Sequence, residues 1–225
     1  MTLNTPVVRL LVAKDWQLFQ KQLAYYVLAG LVALCFLGLA RPWAFYVGSL
    51  MLLIVMVSAA CFSISTSLMV ERKEQTLAFV MSLPVSPLDF TVSKLVGNLL
   101  TFAVPFVLLL GGALAVVMLT PLPDGLFVYA LLIFAYILFA YAISLAVAMS
   151  VESEGWATFA MIGSMVMINP YMMALSQVPE ISDRISVDAV EWTLPAAAIL
   201  ATLAVLSLAV IGITTWFHAR KPAFY

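Results

Sequence analysis

The chain reads as an all-α membrane protein: six transmembrane helices preceded by an amphipathic interfacial helix, with N and C termini cytoplasmic. Three observations predict that class. Of 225 residues, 65% are hydrophobic and only 9% charged, whereas a soluble domain carries about 25% charged residues. Six apolar stretches reach the ~20 residues that a spanning helix needs. The basic residues are distributed unevenly among the segments joining those stretches.

At the N-terminal end, Thr5-Pro6 supplies a cap and a first-turn proline for a helix over 6–22. Val8, Leu11, Val12, Trp16 and Phe19 fall on one side of it, and Arg9, Lys14, Gln17, Gln20 and Lys21 on the other. That pattern suits a helix lying on a membrane surface. Asp15 falls within the apolar sector; it either pairs with a basic residue of the later loop or is exposed at the helix edge. The predicted spans are 23–40, 45–70, 95–119, 126–151, 156–175 and 194–217, and none holds an ionisable Asp, Glu, Lys, Arg or His. Arg41-Pro42, residues 121–125 and residues 151–155 are tight turns, and 176–193 is a longer acidic loop whose interleaved apolar residues suit partial burial in the outer leaflet. All of residues 1–225 form a single transmembrane domain.

The longest hydrophilic stretch between two spans is residues 71–94. Glu71, Arg72, Lys73 and Glu74 end the second apolar run. Residues 76–83 read as a short helix with Leu77, Val80 and Met81 on its apolar side. Pro84 disfavours helix at Leu83 and stops it. Ser86, Pro87 and Asp89 then read as N-cap, first helical position and first-turn acid of a new helix that runs through Lys94 into the third span.

Charge sets the orientation. With both termini inside, the cytoplasmic segments hold Arg9, Lys14, Lys21, Arg72, Lys73, Lys94, Arg220 and Lys221, and the outer ones only Arg41 and Arg184. Such a bias is the positive-inside pattern. The net charge of -1 suggests no nucleic-acid partner. Cys35 and Cys61 read as small core residues. Gly97, Pro105, Gly111 and Gly112 in the third span allow kinks or close helix contacts. The methionines of the fifth span, with Asn169-Pro170, fit either core filling or a surface that accepts variable apolar groups; Met161, Met165, Asn169 and Met172 are the candidate substrate path.

Missing motifs narrow the function. The chain has no phosphate loop of the G-x-x-x-x-G-K-[ST] type and no H-E-x-x-H. Gly163-Ser164 has no histidine within a span to activate the serine. No span carries the ionisable residue that ion-coupled transporters usually need.

The stretch ERKEQTLAFVMSLPVSPLDFTVSK, residues 71–94, together with LVAKD at 11–15 and the six-span topology, resembles the membrane subunit of an ABC exporter of the ABC-2 type. Gln75 stands where that family often has glycine. The resemblance implies that the chain, itself not an enzyme and without a cofactor, is the permease of an ATP-driven exporter in a bacterial inner membrane. Two copies of a separate ATPase subunit would bind ATP and Mg, and a second permease copy or related permease would complete the translocation path. It further implies that 76–83 is the coupling helix, so Glu71, Arg72, Glu74, Thr76, Leu77, Val80, Met81 and Leu83 would contact the ATPase. The uncharged spans favour an apolar or amphipathic substrate such as a lipid, peptide or drug. A haem-exporter-like permease of cytochrome c maturation and a stand-alone channel or carrier are the alternatives.

Overall fold

The computed structural model describes residues 4–69, 87–151 and 153–219. Helices α1 (Thr5–Gly38) and α2 (Pro42–Ile64) are followed by a π turn (Ser65–Met69), then α3 (Pro87–Leu119) and α4 (Leu126–Ser150). Next come α5 (Glu154–Val166), α6 (Ile168–Ser176), a short α7 (Pro179–Ser182) and α8 (Leu194–Ala219). Six helical stretches are long and apolar enough to cross a membrane, α5 and α6 together forming one of them. The described residues form no strand. In lipid that is expected, because only a helix satisfies all its backbone groups internally.

Prolines punctuate the fold as the sequence predicts. Pro87 opens α3 and Asp89 lies in its first turn. Pro42 excludes helical backbone from the residue before it; Arg41 is extended there, and Ala40 is turned into the left-handed region at φ 47. Pro105 sits inside α3 without interrupting it.

Two boundaries differ from expectation. No break separates an interfacial helix over 6–22 from a first span beginning at 23; α1 is one helix of 34 residues. No proline or glycine stands between Pro6 and Gly30 to stop it, and its N-terminal half packs inward through Val8 and Asp15, both buried. The fifth span is likewise two helices, divided at Met167. Pro170 has no N–H to return to the Val166 carbonyl, and the Asn169 side-chain amide donates to that carbonyl instead at 3.5 Å. Cys35 is exposed and Cys61 half-buried, so neither is the closed core residue expected.

The core lies where α1, α2, α3, α4 and α5 meet, around Met56, Phe102, Leu109, Ile137, Tyr141 and Leu145. Helices α1 and α3 run parallel and interlock along their length. Leu109 occupies the space beside Gly30, and Leu34 the space beside Gly112. At one end Gly38 faces Thr120, and at the other the Asn4 N–H donates to Asp89 Oδ1 at 2.7 Å. Small residues let membrane helices approach this closely. Helix α8 leans on α4 and turns Val205, Leu208 and Ile213 outward, as a lipid-facing helix does. The 176–193 loop closes over the end of α4: Ile181 is buried with Val128, Leu132 and Ala196, the Gly125 N–H donates to Val187 O at 2.9 Å, and Arg184 pairs with Glu191.

Helices α1 and α2 approach each other backbone to backbone. A Cβ on Gly48 would stand 2.8 Å from both the Ala33 carbonyl oxygen and the Leu37 nitrogen. These are backbone atoms, so relief requires moving a helix. Gly48→Ala should therefore cost about 1–3 kcal/mol, as overpacking does. Gly111→Ala, where a Cβ meets nothing within 4 Å, should stay within ~1 kcal/mol of wild type. Unfolding in mixed micelles, followed by circular dichroism, measures both.

Candidate functional site

The most concentrated chemistry in the described residues is a buried polar network joining α1, α2, α3 and α4. It begins with charge. Lys94 Nζ donates to Asp15 Oδ2 at 2.9 Å, with both side chains about 5% exposed. Lys14 Nζ lies 3.6 Å from the other Asp15 oxygen, and Lys94 also sits over the Phe90 ring at 5.8 Å. The position of Asp15 in the apolar sector of α1 was the sign of this contact, and Lys94 is the basic residue of the 71–94 stretch that answers it.

One turn further along α3 lies Asn98, with no exposed surface. Its amide donates to Lys94 O at 2.9 Å and to Ser67 Oγ at 2.9 Å. Its side-chain oxygen accepts from Ser63 Oγ at 3.4 Å. Its backbone carbonyl accepts from Tyr141 Oη at 2.9 Å and from Ser63 Oγ at 3.2 Å. Tyr141 is fully buried and stacks on Phe102, ring centroids 4.0 Å apart. Among the described residues no buried side-chain polar atom lacks a partner. Half-satisfied networks are costly in a low dielectric, and complete ones specify a single packing.

Depth gives the network its setting. Asp15 is ~35 Å along α1 from Gly38, and Asn98 ~32 Å along α3 from Leu119, at 1.5 Å per residue. The hydrocarbon core is about 30 Å thick. The pair therefore stands near one membrane boundary, at the end of the bundle where α2 leaves and α3 begins.

A second, smaller polar contact ties α4 to α5 and α6. Ser144 and Ser164 hydroxyls lie 2.8 Å apart. Tyr136 Oη donates to Ser164 O at 2.9 Å and Tyr171 Oη to Leu132 O at 3.1 Å, and the two tyrosine rings stack at 4.5 Å. The Ser164 hydroxyl meets another hydroxyl and the carbonyls of Ala140 and Met161. That surrounding supplies no general base.

The residues expected from sequence fall in two groups. Glu71, Arg72, Glu74, Thr76, Leu77, Val80, Met81 and Leu83 lie outside the described residues. Of the substrate-path candidates, Met161 and Met165 are buried in the core. Met172 packs against its edge, and Asn169 is exposed, so the four do not share one surface. Asn98, Ser63, Ser67 and Tyr141 were not anticipated. The available signal was Asn98 itself, an amide in an apolar span one helical turn after Lys94 and so on the same face. No group of three His, Cys, Asp or Glu able to hold a metal occurs among the described residues. Compared with protein-family models, with curated proteins and with solved structures, the chain finds no match in any of the three.

Breaking the ion pair and replacing it have different costs. Removing one partner leaves a buried charge, which costs ~3–5 kcal/mol, whereas replacing both by apolar residues of similar size is often close to neutral. Asp15→Leu and Lys94→Met should each destabilise strongly in micelle unfolding, and the double variant should recover most of the loss. Additive losses would show that the two charges act separately.

Proposed function

We propose that the chain is the membrane subunit of an ATP-driven exporter of the ABC-2 type. The observation that supports this reading is the sequence of residues 71–94 and its continuation into the third span. The stretch resembling that family's coupling loop leads directly into α3, which begins at Pro87 and is fastened to α1 at Asp15 and Asn4. A force applied to the foot of such a helix is delivered to two spans at once. The positive-inside bias supports cytoplasmic termini and a cytoplasmic 71–86 segment, the side on which an ATPase meets its nucleotide.

In this reading two ATPase subunits bind ATP and Mg, and the coupling residues are Glu71, Arg72, Glu74, Thr76, Leu77, Val80, Met81 and Leu83. A second permease, identical or related, completes the path. The substrate is apolar or amphipathic, since the only charged side chains buried in the described helices, Asp15, Asp89 and Lys94, cluster at the boundary and not along the spans.

Docking of residues 76–83 would bury Leu77, Val80 and Met81. Burial of such a side chain is worth ~1.5–3 kcal/mol, and truncation at an interface centre costs ~2 kcal/mol or more. Leu77→Asp and Val80→Asp should therefore weaken ATPase capture about thirtyfold or more. Arg72→Ala, at the rim, should change it little, because exposed ion pairs contribute ~0–1 kcal/mol. Purification in mild detergent, with ATPase recovery measured per permease, is the test. Undiminished recovery with both aspartate variants contradicts the coupling role, and no ATPase with the wild-type chain favours a stand-alone carrier.

A further inference from the structure

The π turn Ser65–Met69 comes directly after α2 and precedes residue 70. Turns with i→i+5 hydrogen bonds are rare and concentrate at functional positions. Two hydroxyls fix this one to α3. Ser63, just before it, donates to the Asn98 carbonyl at 3.2 Å, and Ser67, within it, accepts from the Asn98 amide at 2.9 Å. The other amide hydrogen of Asn98 is held by the carbonyl of Lys94, whose ammonium holds Asp15. One side chain therefore bridges the irregular turn and the ion-paired turn of α3.

We propose that Asn98 is a latch that keeps residues 65–69 in the π form, and that this turn and the Asp15–Lys94 contact rearrange together. The alternative form is the ordinary α-helix. Moving from i→i+5 to i→i+4 pairing changes the register by one residue, which rotates the residues beyond the turn by about 100° around the helix axis. Ser67 would then leave Asn98, and the Lys94 turn would lose its tie to residues 65–69, keeping only the Ser63 contact to α2. The two forms exchange one set of satisfied backbone hydrogen bonds for another, so the side-chain network decides between them. Discrete rearrangements of this kind, not continuous bending, are how packed helices switch. The latch goes beyond the exporter reading and does not require it.

Thiol reactivity along the turn tests it with the permease alone. In a chain with Cys35 and Cys61 replaced by alanine, single cysteines are placed at Thr66 and at Leu68, and a small membrane-permeant maleimide is the probe. Leu68 is buried and Thr66 half-buried, so position 66 should react faster. The two positions face nearly opposite sides of a helix, so a rotation moves them in opposite directions. Ser67→Ala, which removes only the hydroxyl, should raise labelling at 68 and lower it at 66 by roughly threefold to tenfold, the effect of one buried hydrogen bond. Asn98→Ala should do the same, and Asp15→Asn should shift the pattern the same way. Gly111→Ala, where a Cβ meets nothing within 4 Å, should leave it unchanged. Parallel increases at 66 and 68, an unchanged pattern in Ser67→Ala, or an equal shift in Gly111→Ala overturns the latch. An unchanged pattern in Asp15→Asn overturns its link to α1.

Discussion

Lipid offers no water to an unpaired charge or amide, and this constraint shapes the described part of the molecule more than any other. Asp15 and Lys94 each remain buried because the other is 2.9 Å away. An isolated Asp or Lys at the centre of a membrane helix costs ~2.5–3.5 kcal/mol by insertion measurements, and even near the boundary a buried one needs a partner. Satisfying that need fixes the register of α1 on α3. With the register fixed, Leu109 meets Gly30 and Leu34 meets Gly112. On another face of α3, Phe102 stacks on Tyr141 of α4, whose hydroxyl reaches the Asn98 carbonyl. The polar end and the apolar seam thus enforce one alignment.

Span ends were legible where the chain carries its own punctuation. Pro42, Pro87 and the proline-rich turn at 121–125 mark ends that any backbone must respect, and α3 and α4 begin and end within a residue of expectation. The boundary at 22–23 was not legible, because amphipathicity describes which face is apolar and says nothing of what that face meets. Val8 and Asp15 satisfy a protein neighbour as well as they would a membrane surface. The break at Met167 depends on a single carbonyl, Val166, left without its i→i+4 donor by Pro170, a local cause that an averaged apolar pattern hides.

The polar network was half legible. Asp15 stood out because a carboxylate in an apolar sector requires an explanation. Ser63, Ser67 and Tyr141 did not, since a serine or tyrosine in a membrane helix is ordinary, and the partners that give them meaning lie 31 to 78 residues away in sequence. The methionines show the converse. They crowd one span, yet Met161 and Met165, four residues apart, face the core while Met167 and Met173 face outward, because at helical spacing the latter two fall on other faces.

The ion pair, the glycine seam and the Asn4–Asp89 contact all require α1 to be one helix that runs beside α3 from end to end. Intramolecular disulfide formation measures this directly, using cysteine pairs at Gly38 with Thr120 and at Asn4 with Asp89 in a chain whose native cysteines are replaced by alanine. A Cβ at Gly38 would stand 4.0 Å from Thr120 Cγ2 and the Asn4 N–H lies 2.7 Å from Asp89 Oδ1, and a disulfide joins only neighbouring positions. Efficient crosslinking of both pairs in membranes is the predicted result. Crosslinking at 38–120 with none at 4–89 would contradict it, and would place the first turns of the chain away from α3.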